Sequence, residues 1–200
     1  TPVGGLPWVP IQGYGVVVTQ EHTVAPFEPL TVAGSAVVLV RIGSPLSVAV
    51  ETDDNLHLLV DLHVYGGDLE VGTHGSWNSD HGVIVRITVP RLTGIDVSGA
   101  AHVEVDGLDD DALEVWAEGA AQVRVSGSID ALSVMAEGAA EVDAVALPAG
   151  HCSVDAEGAA QVDVTSTSTL DVTASGAAKV TCVGGADGRE LTSEAAASIS

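Results

Sequence analysis

The stretch AEGAAQVRV, residues 117–125, decides the fold, because the chain repeats it with small changes. Its glycines recur every 18 to 20 residues over half of the chain. A fixed period of this kind is typical of repeat architectures, in which identical units stack on one another. The related copies are VSGAAHVEV at 97–105, AEGAAEVDA at 136–144, AEGAAQVDV at 156–164, ASGAAKVTC at 174–182 and a frayed SEAAASIS at 193–200.

Apolar and polar residues alternate within each copy. Val123 and Val125 flank Arg124, and the same pattern precedes the glycine in LEV and LSV. A period of two with one apolar face indicates β-strands, and each unit must stack on the next to bury that face. We therefore predict an all-β fold, a parallel β-helix (β-solenoid) of about 19-residue rungs. Each rung would hold two short strands and a return segment such as SGSIDA, ALPAG or TSTST.

The Gly-Ala-Ala triplet marks the predicted corner of each rung. Glycine supplies the permissive φ that a tight corner needs, and the flanking alanines keep the inner corner thin. A larger residue there, as in Ala140→Leu, is expected to collide with the neighbouring rungs. The predicted structural turn glycines are Gly99, Gly119, Gly138, Gly158 and Gly176.

The N-terminal half is less regular but still rich in strand signals. Residues 1–26 begin with TPVGGLPWVPIQGYG, which indicates an extended arm or a cap. Residues 27–200 are predicted to form a single domain, with divergent rungs over 27–90 and regular repeats over 91–200. Gly34 lies at the centre of one divergent rung.

Composition narrows the function classes. The chain has 6 Lys and Arg against 28 Asp and Glu, a formal net charge of -22. This excludes nucleic-acid binding through a basic surface and disfavours anionic lipid surfaces. No stretch approaches the roughly 18 apolar residues of a membrane helix, so no membrane span is predicted. The partner expected from the sequence is an envelope protein or a glycan. No cofactor is predicted, with bound Ca²⁺ as the alternative.

Several segments occur in the order that one bacterial family shows. They are PFEPLTVAGSAVVLVRIGSPLSVAVETDDNL, GGDLEVGT, VIVRITVPRLTGIDVSGAAHVEVDGL and the serial EGAAQV units. From Phe27 onward the chain resembles the auto-transporter adhesin head domain, or GIN domain, a bacterial domain of unknown function. The resemblance implies a right-handed parallel β-helix that is secreted, periplasmic or surface-anchored, without catalytic residues. The chain departs from the family by an alanine in place of a second glycine and by its acidity.

Two outward features are candidate binding sites. Glu118, Glu137 and Glu157 precede successive corner glycines and should form a column, where the family often has serine. The column is either a weak Ca²⁺ site or a set of splayed, solvated side chains that discourages aggregation. Trp116 alternates outward, so it either stacks on a ligand such as a sugar or packs beneath a loop.

A cysteine pair and a histidine-rich group each have two possible roles. Cys152 and Cys182 are predicted at inward positions of neighbouring rungs, either as a disulfide or as two buried thiols. His57, Asp61 and His63 are predicted to share one face of a strand, either as a transition-metal site or as exposed residues.

The sequence as a whole predicts a non-catalytic, extracytoplasmic module of a bacterial envelope with a structural or adhesion role. The alternative is a β-helix that binds carbohydrate or a divalent cation. A polysaccharide-acting enzyme is third, because the acidic runs Asp53–Asp54 and Asp109–Asp111 have the pattern of turns. The terminal rung, near 198–200, would expose strand edges that are capped, paired with another copy of the chain in a homo-oligomer, or joined to further sequence.

Overall fold

The computed structural model describes residues 10–200, and the all-β prediction is confirmed. A short 3-10 helix (Asp54–Leu59) interrupts the strands, and no helix within 10–200 is long and apolar enough to cross a membrane. Trp8 and the rest of the predicted arm before residue 10 lie outside the described residues. The strands are β1 (Ile11–Gln12), β2 (Val17–His22), β3 (Pro29–Gly34), β4 (Val37–Ile42), β5 (Ser47–Asp53), β6 (Val60–Tyr65), β7 (Asp68–Thr73), β8 (Trp77–Asn78), β9 (Ile84–Val89), β10 (Gly94–Gly99), β11 (His102–Ala117), β12 (Gln122–Ala136), β13 (Glu141–Ala156), β14 (Gln161–Ala174), β15 (Lys179–Val183), β16 (Gly188–Ser193) and β17 (Ser198–Ile199).

Successive repeats of the C-terminal half pair in parallel and in register. β11 pairs with β12, β12 with β13, and β13 with β14, so that Val123 lies opposite both Val103 and Val142. β14 pairs in parallel with β15 and β16, and β15 pairs in parallel with β17. The last, frayed copy of the repeat therefore belongs to the same stack. Equivalent positions of the repeats therefore form columns across one large mixed sheet.

The core is made by the alternating inward residues of these strands. Small and branched side chains dominate it, in keeping with the scarcity of aromatic residues. Full burial of one Val or Leu side chain contributes about 1.5–3 kcal/mol, so each repeat adds several such contributions. The inward residues that flank the corners are, for two of the repeats, Val123, Val125, Leu132, Val134, Val142, Ala144, Cys152 and Val154, all at most 3% exposed.

The predicted return segments are not separate from the strands. SGSIDA and ALPAG lie within the long strands β12 and β13, whose pairing shifts register there. The shifts absorb the differences in length between repeats. They also bring backbones very close, since a Cβ on Gly127 would overlap the carbonyl oxygen of Leu108.

The N-terminal half, predicted to form divergent rungs over 27–90, does not stack in chain order. β3 lies between β7 on one side and β10 on the other. β4 lies in the same way between β9 and β11. The layer formed by 29–42 is thus interleaved between two layers that come later in the chain. Gly34 lies opposite Gly99, so this layer shares the corner of the regular repeats.

Antiparallel strands complete the N-terminal end. β2 pairs with β5, β5 with β9, and β6 with β7, all antiparallel, while β1 pairs in parallel with β8. The buried carboxylate of Asp53 joins these segments, because it accepts hydrogen bonds from the Gly15 N–H and the Ser79 hydroxyl. Asn55 accepts from the Tyr14 N–H and donates to the Gln12 carbonyl.

Candidate functional site

The corner of each repeat is a column of glycines in the left-handed region. Gly119, Gly138 and Gly158 have φ of 81°, 76° and 78°. The Gly119 carbonyl accepts a hydrogen bond of 2.7 Å from the N–H of Ala139 in the next repeat, and this contact recurs along the column. A Cβ on Gly138 would lie 3.0 Å from the Gly119 oxygen. Glycine is therefore required both by the backbone angle and by the close approach of the next layer.

The two alanines of the corner differ in position. Ala140 is buried, whereas Ala139 is exposed. The expectation that both alanines line the inner corner is thus wrong for the first of them. The other small residue of the inner corner is Ala136, which precedes Glu137 and is fully buried.

The glutamate column lies on the outside of the same corner. Glu118, Glu137 and Glu157 are exposed, and Ser98 and Ser175 occupy the equivalent places in neighbouring repeats. Over residues 10–200, no three His, Cys, Asp or Glu side chains come together in a way that could hold a metal ion. The Ca²⁺ site therefore stays a prediction.

Trp116 lies in a groove on the outer face of the sheet. It is 46% exposed, and its partners on the adjacent strands are Asp96 and Met135. The groove has a volume of about 310 Å³, and Thr31 and Asp68 form its other wall. An exposed indole with carboxylates beside it is an arrangement suited to an uncharged, hydroxyl-bearing ligand.

A second groove of about 610 Å³ continues from the first across β11 to β14 and β16. Glu114 and Ser133 line both grooves, so the two meet there. Short side chains such as Ala131 and Ser153 leave the groove open. We call the combined depression the outer groove.

Acidic groups crowd the Trp116 end of the outer groove. Burial raises the pKa of Asp96, and the nearby carboxylates of Asp68 and Glu118 raise it further. The Thr31 hydroxyl donates to Asp68 Oδ2 at 2.9 Å, whereas Oδ1 is buried and accepts no hydrogen bond from the described residues. The repeat register in the sequence points to Trp116 and to Asp96, which lies three residues before Gly99 as Trp116 does before Gly119. It does not point to Asp68, because β7 reaches this site only through the interleaved strand β3.

A sequence profile of a known family matches most of the chain. The profile of the family described as Putative auto-transporter adhesin, head GIN domain, matches residues 26–186. The chain belongs to this family. The resemblance identified from the repeats is thereby confirmed, and the GIN domain covers both the interleaved layers and the regular repeats.

Solved structures share the fold of this GIN domain. A putative adhesin from Bacteroides fragilis has a TM-score of 0.78 at 18% identity, covering 94% of this chain and 98% of that chain. A putative lipid binding protein from Parabacteroides distasonis has a TM-score of 0.60 at 15% identity, covering 96% and 98%. A putative adhesin from Parabacteroides merdae has a TM-score of 0.58 at 17% identity, covering 94% and 97%. None of these three descriptions names an enzyme, and a search of curated proteins found no match.

Both cysteines of the GIN domain are free thiols in the structure. Cys152 faces the core as predicted, and Cys182, which lies opposite the buried Val164, also packs against the core but is only partly buried. Burial, together with the charge of a nearby Cys182 thiolate, raises the pKa of Cys152 to about 12. The Cys152 thiol therefore stays protonated at neutral pH and behaves as a small core residue.

The predicted histidine group is not assembled on one strand. His57 lies in the 3-10 helix, where its Nε2 is 3.0 Å from the Val18 carbonyl. Asp61 and His63 lie on the outward face of β6, and Asp61 pairs instead with His74, at 2.8 Å between Oδ2 and Nδ1. The short helix separates His57 from the other two residues, so the strand-face prediction is wrong for His57.

Proposed function

We propose that this GIN domain is a non-catalytic adhesion or interaction module on the outer side of a bacterial membrane. The observation that carries the proposal is the outer groove, an open recognition surface presented by strands held in register. Family membership supports the same conclusion, since two of the structural relatives are described as adhesins.

For the finer architecture we propose a right-handed parallel β-helix. The in-register parallel pairing of β11 to β14 and the column of corner glycines support it. Parallel crossovers are right-handed in nearly all known proteins, which supports the handedness. Stacked coils of this kind give a stiff rod whose side faces are available for contact.

Adhesion can be tested with the chain coupled to fluorescent beads. We expect beads carrying the protein to bind a layer of epithelial cells, and the soluble protein to compete with them. Beads coated with serum albumin, another acidic protein, provide the control for charge. Binding no stronger than that of the albumin beads, on cells and on purified extracellular matrix alike, would contradict the adhesion role.

The location can be tested separately in the source bacterium. We expect antibodies raised against the chain to label intact cells, or to detect the protein in a periplasmic or secreted fraction. Detection in the cytoplasmic fraction alone would refute the proposed location.

The second candidate is a carbohydrate- or cation-binding role. The groove around Trp116 favours carbohydrate and is developed below. For the cation alternative, millimolar Ca²⁺ should raise the melting temperature, and Glu137→Ala should abolish the rise while Glu141→Ala, an exposed residue away from the corner column, should not. Equal behaviour of the two variants would remove Glu137 from any cation site.

A further inference from the structure

The outer groove is continuous across several strands and has two chemically distinct parts. At one end stands Trp116, which exposes nearly half of its surface between Asp96 and Met135. In the middle, Ser133 lies opposite Glu114 on one side and Ser153 on the other. Neighbouring strands lie about 4.8 Å apart, so the depression, which runs from β3 to β16, extends over roughly 30 Å across the sheet.

We propose that the outer groove binds a neutral oligosaccharide, with one sugar ring stacked on Trp116 and the next rings donating hydroxyl hydrogen bonds to Glu114 and Ser133. This inference rests on the proposed adhesion function and names the ligand class of the same surface.

The apolar contact comes from the indole. A sugar ring has a face of C–H groups, and an exposed tryptophan offers a rigid apolar surface of matching shape. Met135 extends that surface on the neighbouring strand and is 40% exposed. Exposed aromatic residues beside polar groups commonly mark recognition sites rather than random surface.

The polar contacts come from exposed acceptors in the groove. Glu114 and Ser133 at the junction of its two parts, and Asp96 beside Trp116, are all exposed to a ligand. Carboxylates accept hydrogen bonds only, and sugar hydroxyls donate them, so the two are complementary. Partial desolvation and the nearby carboxylate of Asp68 disfavour the charged form of Asp96, and a hydroxyl donor from a ligand would relieve that cost.

Charge selects neutral sugars over anionic ligands. Asp96, Glu114 and Asp171 line the outer groove, within a chain of net charge -22. Uronate sugars, phosphates and anionic lipid headgroups are repelled by such a surface. The guanidinium of Arg189, at the far end, is directed to the carbonyls of Gly184 and Ala186 at 3.2 and 3.4 Å.

The test measures binding of the full chain to an array of neutral glycans, followed by calorimetry with cellohexaose, mannohexaose and chitohexaose. We expect at least one neutral oligosaccharide to bind. Trp116→Ala should weaken that binding about tenfold or more, whereas Trp116→Phe should weaken it less. Ser133→Leu should block the junction of the two grooves. Tyr65→Ala is the matched control, because Tyr65 is an aromatic residue 80% exposed on β6, outside the outer groove.

Several outcomes would overturn the inference. They are no binding to any neutral glycan, equal binding by the wild type and Trp116→Ala, or preferential binding of oligogalacturonate or of phosphatidylcholine vesicles. Thermal unfolding of each variant checks that the fold is kept. If beads carrying Trp116→Ala still adhere to cells, the glycan assignment fails and the adhesion proposal stands. If wild-type beads do not adhere at all, the adhesion proposal fails by itself.

Discussion

Substitution of Gly138 by alanine should destabilise the protein through two separable effects. The φ of +76° is unfavourable for an L-residue by about 1–2 kcal/mol. The new Cβ would also lie 3.0 Å from the oxygen of Gly119 and 3.3 Å from its nitrogen. That oxygen already accepts the 2.7 Å hydrogen bond from Ala139, so relief of the contact must weaken the bond.

The two effects and one opposing term give the expected magnitude. A weakened hydrogen bond costs about 0.5–1.5 kcal/mol, and alanine lowers the entropy of the unfolded chain, which returns about 0.4–1 kcal/mol. These ranges combine to a net loss for Gly138→Ala of about 0.5–3 kcal/mol, centred near 2 kcal/mol. For a chain of this size the central value corresponds to a fall in melting temperature of about 4–8 °C.

Two other glycines separate the backbone angle from the crowding. Gly107 has a φ of +82°, and no described atom lies within 4 Å of the position that a Cβ would take. The free-energy cost of Gly107→Ala therefore comes from the backbone angle alone. Gly185 has neither a left-handed φ nor a close neighbour in the described part of the chain, so Gly185→Ala should be neutral or stabilising by up to about 1 kcal/mol. The expected order of destabilisation is Gly138→Ala, then Gly107→Ala, then Gly185→Ala.

Urea and thermal unfolding, followed by far-ultraviolet circular dichroism, measure the series. A Gly138→Ala variant as stable as Gly185→Ala would refute the corner argument, because neither the angle nor the contact would then matter. The reciprocal change is available at Ala195, which has φ of 61° at the equivalent corner of the last copy. Ala195→Gly should relieve the same strain there, and a clear loss of stability in that variant would also count against the argument.

Three other properties can be tested on the same protein. Asp53→Ala should cost about 2–3 kcal/mol, because it removes the two hydrogen bonds that the buried carboxylate accepts from Gly15 and Ser79. The exposed Asp54→Ala should change the urea midpoint little, and equal effects of the two variants would contradict this. Iodoacetamide at pH 8 should label Cys182 at least tenfold faster than Cys152, because only about one Cys152 thiol in ten thousand is ionised at that pH. Equal labelling rates, or no labelling of either cysteine before reduction, would contradict the arrangement of two free thiols. The folded state raises the pKa of Asp96, so ionisation of this carboxyl opposes folding at pH values above that pKa and has no effect at low pH. The Asp96→Asn variant should therefore be more stable than the wild type at pH 7, by less than about 1 kcal/mol, and as stable as the wild type near pH 3.

The regular half of the fold follows directly from the sequence. The recurrence of Gly119, Gly138 and Gly158 and the period-two alternation around them predict both the corners and the buried positions. This succeeds because each repeat meets mainly its neighbours in the chain, so local pattern and spatial contact coincide. The outward position of Trp116 follows from the same alternation.

The other half depends on contacts that no local pattern records. Nothing in 29–42 indicates that this layer lies between β7 and β10, since its alternation is compatible with any parallel partner. The burial of Asp53 is equally invisible, because an Asp-Asp pair has the pattern of an exposed turn. The need for glycine at position 127 has a third cause that the sequence does not show. The register shift beside Leu108 brings the Leu108 backbone so close that no side chain fits there.

The interleaved layer has a consequence for the order in which the chain can fold. Leu30 lies between Leu69 and Ile95, both of which follow it in the sequence. Strand β3 therefore lacks its full set of partners until the chain as far as β10 is available, whereas each later repeat can pair at once with the repeat before it. A chain interrupted before Ile95 would leave an edge of β3 unpaired, and unpaired strand edges are sites of aggregation.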